Sequence, residues 1–296
     1  MAKRIKKTSF NPRITVVIGT LNRPNVVMPL INQLVEESKK IFLEVIVIDQ
    51  SIPKNYNDLT KKFPKQINFK LIHFDKPNTV KYLNYGWKRA QAPIVLFLDD
   101  DVTITEKTII SHIESYNDPS IQAVSGRVIS DDENIASTNP QVGKILWFGA
   151  IFTKNFSYEK RVFVDFPYGC NMSFMKKTLE VTGGFDEKLI APIFGFNEVD
   201  LGYRINKRSP NAIVFKSETL VYHHRYKSGG TRNNFNYNNI FHSNQFNYGY
   251  FLGKNFSLIE NIVCFFRKLP YQIIKEPKAI PDILQGFIYG KKTRKK

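Results

Sequence analysis

The sequence contains few cysteines and no long apolar run, and each absence removes a class of protein. Only Cys170 and Cys264 occur among the 296 residues, so a disulfide framework is excluded and a reducing cytoplasm is the natural setting. No stretch approaches the roughly 18–20 uninterrupted apolar residues of a membrane span. The basic start, MAKRIKKTSFNPR, has no apolar run behind it and does not read as a secretory signal. We therefore expect a cytoplasmic protein.

Two familiar phosphate-binding motifs are also missing. The first apolar run leads into residues 20–24 (TLNRP) and not into a glycine-rich dinucleotide turn, and no P-loop occurs in the chain. Both omissions count against a dehydrogenase and against an ATPase.

The net charge of +17 is concentrated at the two ends of the chain. Residues 1–13 carry five basic and no acidic side chains, and residues 254–296 carry ten basic and three acidic ones. We therefore divide the chain into a basic arm (1–12), a central domain (13–253) and a basic amphipathic tail (254–296). Such ends can meet phosphate, either in nucleic acid or in anionic lipid.

The central domain alternates short apolar runs with helical patterns, which is typical of an α/β fold. Near-continuous hydrophobicity in the runs predicts parallel strands that are covered on both faces. We expect an open, mixed, mainly parallel sheet flanked by helices. The predicted strands are 14–19, 43–49, 68–74, 94–99, 122–129 and 212–222, and the predicted helices are 26–39, 80–90, 105–116, 176–182 and 198–206.

The basic tail is expected to begin with a helix over residues 257–269. Ser257 and Glu260 have the spacing of a capping box. One face of this helix is apolar, and basic residues flank it. The face would lie on an anionic membrane surface or pack on the central domain, and both readings stay open. Its apolar residues are Leu258, Ile259, Ile262, Val263 and Phe266.

Three adjacent aspartates, Asp99, Asp100 and Asp101, end the predicted strand 94–99. Adjacent carboxylates repel one another, and their desolvation is costly unless a cation compensates. The carboxyl ends of strands are where open α/β sheets bind ligands. Carboxylate oxygens suit Mg²⁺ or Mn²⁺, which can also bridge a diphosphate. Asp49, which ends another strand, can line a nucleoside pocket beside them.

Seven segments in order resemble glycosyltransferase family 2 between about residue 13 and residue 230. They are VVIGTLNR, VIVIDQS, KYLNYGW, FLDDD, YGCNMSF, GGFDE and NEVDLGYRI. The resemblance implies a nucleotide-diphospho-sugar transferase fold of the GT-A type, with a nucleotide-binding half (13–101) and an acceptor half (102–253). It also implies inverting transfer of a hexosyl or rhamnosyl group from a nucleoside diphosphate sugar to an acceptor hydroxyl, with Mn²⁺ or Mg²⁺.

The resemblance assigns the donor side of the site residue by residue. Asp101 would hold the metal ion, and His223 is favoured over His224 as a further ligand. Asp99 would lie near the ribose, and Asp100 fits either role. Lys81 replaces the charge of an arginine that the family often has at the position of Leu83, although a solvated lysine is an equal alternative. The nucleotide-binding set is Thr20, Asn22, Arg23, Asp49, Lys81, Asp99 and Asp100.

The resemblance also assigns the catalytic base and the acceptor side. Glu198 stands where the family normally has the aspartate that removes the proton from the acceptor hydroxyl. Asn171, Asp186 and Asp200 would bind or orient the acceptor; for Asp186, capping of the next element is an equal alternative. Arg225, Lys227 and Arg232 form either a lid over the phosphates or a plain basic loop.

Two other functions fit parts of the sequence. A nucleotidyltransferase also binds a nucleotide and a metal ion through carboxylates at strand ends, but it releases pyrophosphate. The basic ends would suit a nucleic-acid-binding protein; however, the aromatic residues show no RNA-binding pattern, so no nucleic-acid partner is expected. A glycan or lipid-linked acceptor of the cell envelope or surface polysaccharide, met on the inner face of the membrane, fits the basic tail better.

Overall fold

The described residues form a nine-stranded open sheet with helices on both faces. The computed structural model describes residues 11–131, 137–145, 154–190, 196–226, 237–257, 259–264, 266 and 275–294. The strands are β1 (Ile14–Thr20), β2 (Leu43–Asp49), β3 (Phe69–His73), β4 (Ile94–Asp99), β5 (Val102–Ile104), β6 (Ala123–Ser130), β7 (Val162–Phe163), β8 (Asn171–Met175) and β9 (Ile213–His223). The helices are α1 (Pro24–Ser38), α2 (Pro53–Lys62), α3 (Thr79–Arg89), α4 (Thr108–Ser115), α5 (Lys176–Thr182), α6 (Phe196–Arg208), α7 (Tyr237–Asn255) and α8 (Ile280–Arg294).

The strand order is β3-β2-β1-β4-β8-β6-β9-β5, and β7 also pairs with β9. Strands β1 to β4 are parallel to one another. β8 lies antiparallel between β4 and β6, whereas β9 runs parallel to β6. The predicted open, mixed sheet flanked by helices is confirmed, with most of its parallel pairing in the first half.

Alternate side chains of the central strands pack on opposite faces of the sheet. In β1, Ile14, Val16 and Ile18 pack with α1, α2 and α4, whereas Val17 packs with α3, α5 and α6. Each such side chain that leaves water contributes about 1.5–3 kcal/mol. Burial on both faces is the physical reason why these strands are almost continuously apolar.

The register of the sheet brings three strand ends to one edge. Thr20 pairs with Asp49 across β1 and β2, and Gly19 pairs with Asp99 across β1 and β4. Because these strands are parallel, the loops that follow them leave the sheet on the same side. This edge carries the candidate site.

Elements that were not predicted include helices α2, α7 and α8 and strands β5 and β8, and one helix starts later than predicted. Helix α2 is polar apart from the buried Leu59, so it has little apolar periodicity. Strand β8 lies inside a motif that the sequence shows only as a family signature. The helix predicted over 105–116 begins at Thr108, because residues 102–104 form β5.

The basic tail is not separate from the central domain. The proposed boundary at 253/254 falls inside α7, which packs along α8, and Cys264 and Ile283 join the main core. The predicted capping box is present: Ser257 N donates to Glu260 Oε2, and Glu260 N donates to Ser257 Oγ. No helix among the described residues is apolar over a length that would cross a bilayer.

The short helical stretch 259–264 packs with a different face from the one that its apolar pattern favours. Asn261 and Cys264 are buried, whereas Ile259, Ile262 and Phe266 are exposed. Of the two alternatives left open for this face, packing on the central domain is not seen for these three side chains. Leu258 and the arm residues 1–10 lie outside the described part of the chain.

Candidate active site

A cavity of about 480 Å³ lies at the carboxyl ends of β1 and β4. This volume is within the range of small-ligand sites. Predicted site residues in its lining are Thr20, Arg23, Asp99, Asp100, Asp101, Glu198, His223 and Arg225. Gly19, Gln50, Tyr82, Lys154, Gly169 and Tyr226 also contribute to its wall. Side chains from both halves of the sequence thus meet at one concave site.

Asp100 joins the loops that follow β1 and β4. Its Oδ2 accepts hydrogen bonds from Thr20 Oγ1 at 2.6 Å and from Arg23 Nε at 2.8 Å, and its Oδ1 pairs with Arg23 Nη2. Burial raises the pKa of Asp100 to about 6, although Arg23 opposes this shift. Both oxygens bind other protein groups. Asp100 therefore links the two loops and is less available as a ligand for a metal ion or a nucleotide.

Asp99, Asp101 and His223 form a group that can hold a metal ion. Each offers one donor atom, and the three atoms lie within 4.8 Å of one another. His223 Nε2 is 3.1 Å from Asp101 Oδ1 and 3.8 Å from Asp99 Oδ2. Asp99, which was assigned to the ribose, is therefore also a member of the candidate metal group.

The pairing of β5 with β9 selects His223 over His224. Val102 lies opposite His223 in this antiparallel ladder, which brings the imidazole next to Asp101. Successive side chains of a strand point to opposite faces. His224 accordingly bonds Thr103 Oγ1 at 2.7 Å and is outside the group.

The charge of Asp101 is stabilised by its neighbours His223 and Arg23. Burial alone would raise its pKa, but a hydrogen bond from His223 and the nearby Arg23 guanidinium hold this pKa below its ordinary value. Arg23 Nη1 lies 3.3 Å from Asp101 Oδ2. Asp101 is thus an ionised carboxylate in a buried place, as a ligand of a hard cation must be.

Glu198 also lines the cavity, from the first turn of α6. Its Oε1 sits directly over Gly169, where an added Cβ would overlap it. Burial raises the pKa of Glu198 to about 7, while the backbone amides of Glu198 and Gly169 lower it. The second oxygen, Oε2, is buried without a hydrogen-bond partner. Oε1 thus lies against the backbone at Gly169, and Oε2 has no hydrogen-bond partner among the described residues.

Three predicted nucleotide-binding residues do not line the cavity. Asn22 has a left-handed backbone (φ 57°), and its Oδ1 accepts from Ile52 N. Asp49 is buried beside Ser51, whose N donates to Oδ1, and Asp49 Oδ2 has no partner. Lys81 is exposed on α3. The first two residues shape the loop that carries Gln50 into the wall.

The three predicted acceptor residues are also away from the cavity wall. Asn171 is fully buried, and its Nδ2 donates to Thr219 O at 2.6 Å and to Arg127 O at 3.0 Å. Asp186 and Asp200 both bind Lys254 Nζ of α7, at 2.7 and 2.8 Å. These polar groups are already satisfied within the protein, so the structure places them as supports for β8 and α6.

Several lining residues had no assignment from the sequence. Tyr82 packs on Gly19, where a Cβ would overlap its ring, so a glycine that ends an apolar strand was the available signal. Gln50 follows Asp49 directly, whereas Lys154 belongs to a segment without any motif. Of the predicted basic loop, Arg225 lines the cavity, and Lys227 and Arg232 lie beyond the described residues.

The sequence profile of glycosyl transferase family 2 matches residues 15–183, more than half of the chain. The chain belongs to glycosyl transferase family 2. This match covers both the aspartate cluster and Gly169, and it ends before Glu198. No curated protein sequence matches the chain significantly.

Solved structures of glycosyltransferases have the same fold. A mannosyltransferase, PcManGT from Pyrobaculum calidifontis, in complex with GDP-Man and Mn²⁺, is 16% identical, with a TM-score of 0.53 over 96% of this chain and 76% of that one. TarS 1-349 of S. aureus with UDP-GlcNAc is 13% identical (TM-score 0.60; 93% and 79% covered). GalNAc-T7 with UDP, GalNAc and Mn²⁺ is 13% identical (TM-score 0.66; 95% and 56% covered).

Proposed function

We propose that this glycosyltransferase moves a sugar from a nucleoside diphosphate sugar to an acceptor hydroxyl with inversion at the anomeric carbon. The observation that carries the proposal is the presence of two carboxylate sets in the lining of one cavity. One set is the Asp99–Asp101–His223 group, and the other is Glu198. The first suits a divalent cation beside a diphosphate, and the second suits a general base.

The proposed donor is supported by the ligands of the structural neighbours. Complexes with GDP-Man, with UDP-GlcNAc and with UDP were solved for proteins of this fold. In this chain, Thr20 and Arg23 line the donor side with Gln50 and Tyr82. Asn22 and Asp49 would contribute indirectly, by holding the loop that carries Gln50. Lys81 would lie at the edge of the donor site. The donor would be a hexosyl or rhamnosyl nucleotide.

The residues present fit a divalent ion. Two carboxylates and one imidazole are hard and intermediate ligands, a mixture that favours Mn²⁺ over Mg²⁺. Asp101 and His223 would hold the ion, with Asp99 as the third ligand. When bound, such an ion acts as a Lewis acid that stabilises negative charge on the leaving diphosphate.

Glu198 is the proposed base. Among the described residues that line the cavity, it is the one carboxylate outside the aspartate cluster. A base with a pKa near the working pH removes a hydroxyl proton efficiently, and the unpartnered Oε2 is the atom that would accept it. One free carboxylate suits single displacement, which inverts the anomeric centre. Asn171, Asp186 and Asp200 would position the acceptor wall indirectly.

We place the reaction in cell-envelope or surface polysaccharide synthesis, with a glycan or lipid-linked acceptor on the inner face of the membrane. The support is the basic C-terminal region, which combines ten basic residues with exposed apolar side chains. This location would make the enzyme a cytoplasmic, peripheral membrane protein.

The test is a screen of UDP-, GDP- and dTDP-sugars with Mn²⁺ or Mg²⁺, in which the nucleotide product is identified. Release of nucleoside diphosphate supports the proposal, because a nucleotidyltransferase would release pyrophosphate instead. Salt-sensitive RNA binding without binding of any nucleotide sugar would favour the nucleic-acid alternative. Either of the last two results would overturn the proposed function.

A further inference from the structure

Helices α7 and α8 run parallel and pack backbone to backbone, and we call them, together with the described residues between them, the C-terminal helix pair. A Cβ added to Gly249 or Gly253 would overlap carbonyl oxygens of α8, and one added to Gly286 or Gly290 would overlap carbonyl oxygens of α7. Both glycine pairs have the i, i+4 spacing with which helices approach most closely in membranes. The two helices therefore form one closely packed unit.

The C-terminal helix pair also makes hydrogen bonds and ion pairs with the catalytic domain. Tyr250 OH and Lys254 Nζ both donate to Asp186 Oδ2 at 2.7 Å. Lys254 and Asn255 both donate to Asp200 Oδ1, and Asp200 lies two residues from Glu198 on α6. Any surface that the C-terminal helix pair binds is thus linked, through Asp200, to the helix that carries the proposed base.

The C-terminal helix pair nevertheless exposes apolar side chains in clusters. Ile259, Ile262 and Phe266 share one helical face and are 74%, 46% and 80% exposed. Leu284 and Ile288 share a face of α8 and are 44% and 55% exposed. Exposed apolar side chains that cluster mark interaction surfaces, whereas single ones are ordinary.

The apolar face of Ile259, Ile262 and Phe266 follows α7 at the end of the helix pair where a group of cations lies, whereas Leu284 lies ten residues before Arg294, towards the start of α8. Arg294 Nη1 donates to Phe256 O at 2.5 Å, which joins the last turn of α8 to the start of the stretch that carries Ile259. Lys291 and Lys292 are in the same last turn. Residues 254–296 contain ten basic and three acidic residues, a net charge of +7. An apolar face flanked by cations matches an anionic bilayer interface.

We infer that the C-terminal helix pair carries a membrane-docking surface whose partner is anionic lipid, and that it holds the acceptor side of the catalytic domain at the bilayer. The apolar side chains enter the interface while the lysines and Arg294 meet the lipid phosphates. The inference supplies the partner surface for the membrane location in the proposed function, and it does not depend on the roles given to Asp101 or Glu198.

The test is co-sedimentation of the full chain with phosphatidylcholine vesicles that contain or lack phosphatidylglycerol. We expect binding to the anionic vesicles. The triple variant Ile259→Ser/Phe266→Ser/Ile288→Ser should lose about tenfold or more in vesicle affinity. The matched control, Ile67→Ser/Val181→Ser, removes side chains that are also exposed but lie elsewhere, and it should bind as the wild type does.

A second variant separates lipid charge from apolar contact. Lys291→Gln/Lys292→Gln should weaken binding by about fivefold for each charge, and only on anionic vesicles. The control Lys61→Gln/Lys62→Gln changes an equivalent pair at the end of α2 and should leave binding unchanged.

Three results would overturn the inference: no vesicle binding, equal losses in the control variants, or a dimer in solution that the apolar triple variant dissociates. The last result would assign the face to a second copy of the chain. Hydrolysis of a nucleotide sugar without acceptor, measured in parallel, reports on the proposed catalytic function. Vesicle binding with no such hydrolysis would therefore contradict the catalytic function alone.

Discussion

Asp101 and Glu198 are both buried acids on the walls of one cavity, yet their pKa values move in opposite directions. His223 and Arg23 hold the pKa of Asp101 below its ordinary value against the effect of burial. Burial prevails at Glu198 and raises its pKa to about 7. Neighbouring groups therefore outweigh burial at Asp101, whereas burial outweighs them at Glu198 and also at Asp100, although Asp100 pairs with Arg23.

Replacing the metal-side acid should have the largest effect. Asp101→Ala removes a central ligand of the candidate metal group, so we expect turnover to fall by about a thousandfold or more and its dependence on Mn²⁺ to disappear. Steady-state release of nucleoside diphosphate measures this. The exposed Asp75→Ala is the control and should behave as the wild type. Retained Mn²⁺-dependent turnover in Asp101→Ala would contradict the assignment.

Replacing the proposed base should separate chemistry from binding. Glu198→Gln keeps the size of the side chain but removes the basic oxygen, so kcat should fall by about 10²–10⁴-fold. Donor affinity, measured by calorimetry, should stay near the wild-type value. Glu180→Gln on the exposed side of α5 serves as the control. A normal kcat for Glu198→Gln would show that Glu198 is not the general base.

The fit between Glu198 and Gly169 gives a third, smaller effect. Gly169 has no unusual backbone φ, so the obstacle to alanine is the overlap with Glu198 Oε1. Gly169→Ala should displace the carboxylate and lower kcat by about a hundredfold. The shorter base in Glu198→Asp should also be slow, because its oxygen falls short of the acceptor.

The double variant Gly169→Ala/Glu198→Asp distinguishes positioning from simple damage. The shorter acid leaves room for the new methyl group, so the double variant should be faster than the product of the two single losses. Strict multiplication of the losses, with unchanged melting temperatures, would show that Gly169 does not position Glu198.

The pH dependence should show the smallest effect and a definite sign. The base accepts a proton only when it is ionised, and its pKa is raised to about 7. The rate should therefore fall on the acidic side of about pH 7, by about tenfold for each further pH unit. A kcat profile of the wild type with saturating donor checks this. A flat profile between pH 5 and 7 would contradict a base with a raised pKa.

Many elements were predictable from local sequence, including β6, α5, α6 and β9 in the second half of the chain, but the contacts that join them were not. The apolar runs of β1, β2 and β4 are buried on both faces, so their pattern fixed both the strands and the location of the aspartates at one sheet edge. Asn171 belongs to a motif, but only the tertiary structure shows that its amide binds Thr219 O and Arg127 O. The contacts of Lys254 with Asp186 and Asp200 likewise join residues more than 50 positions apart.

The most direct test is a calorimetric titration of Mn²⁺, with UDP or GDP present, into the wild type, Asp101→Ala and Glu198→Gln. If the aspartate–histidine group holds the ion and Glu198 serves only the acceptor, the wild type and Glu198→Gln will bind Mn²⁺ alike, and Asp101→Ala will not bind it measurably. Equal Mn²⁺ binding by all three proteins would contradict the account.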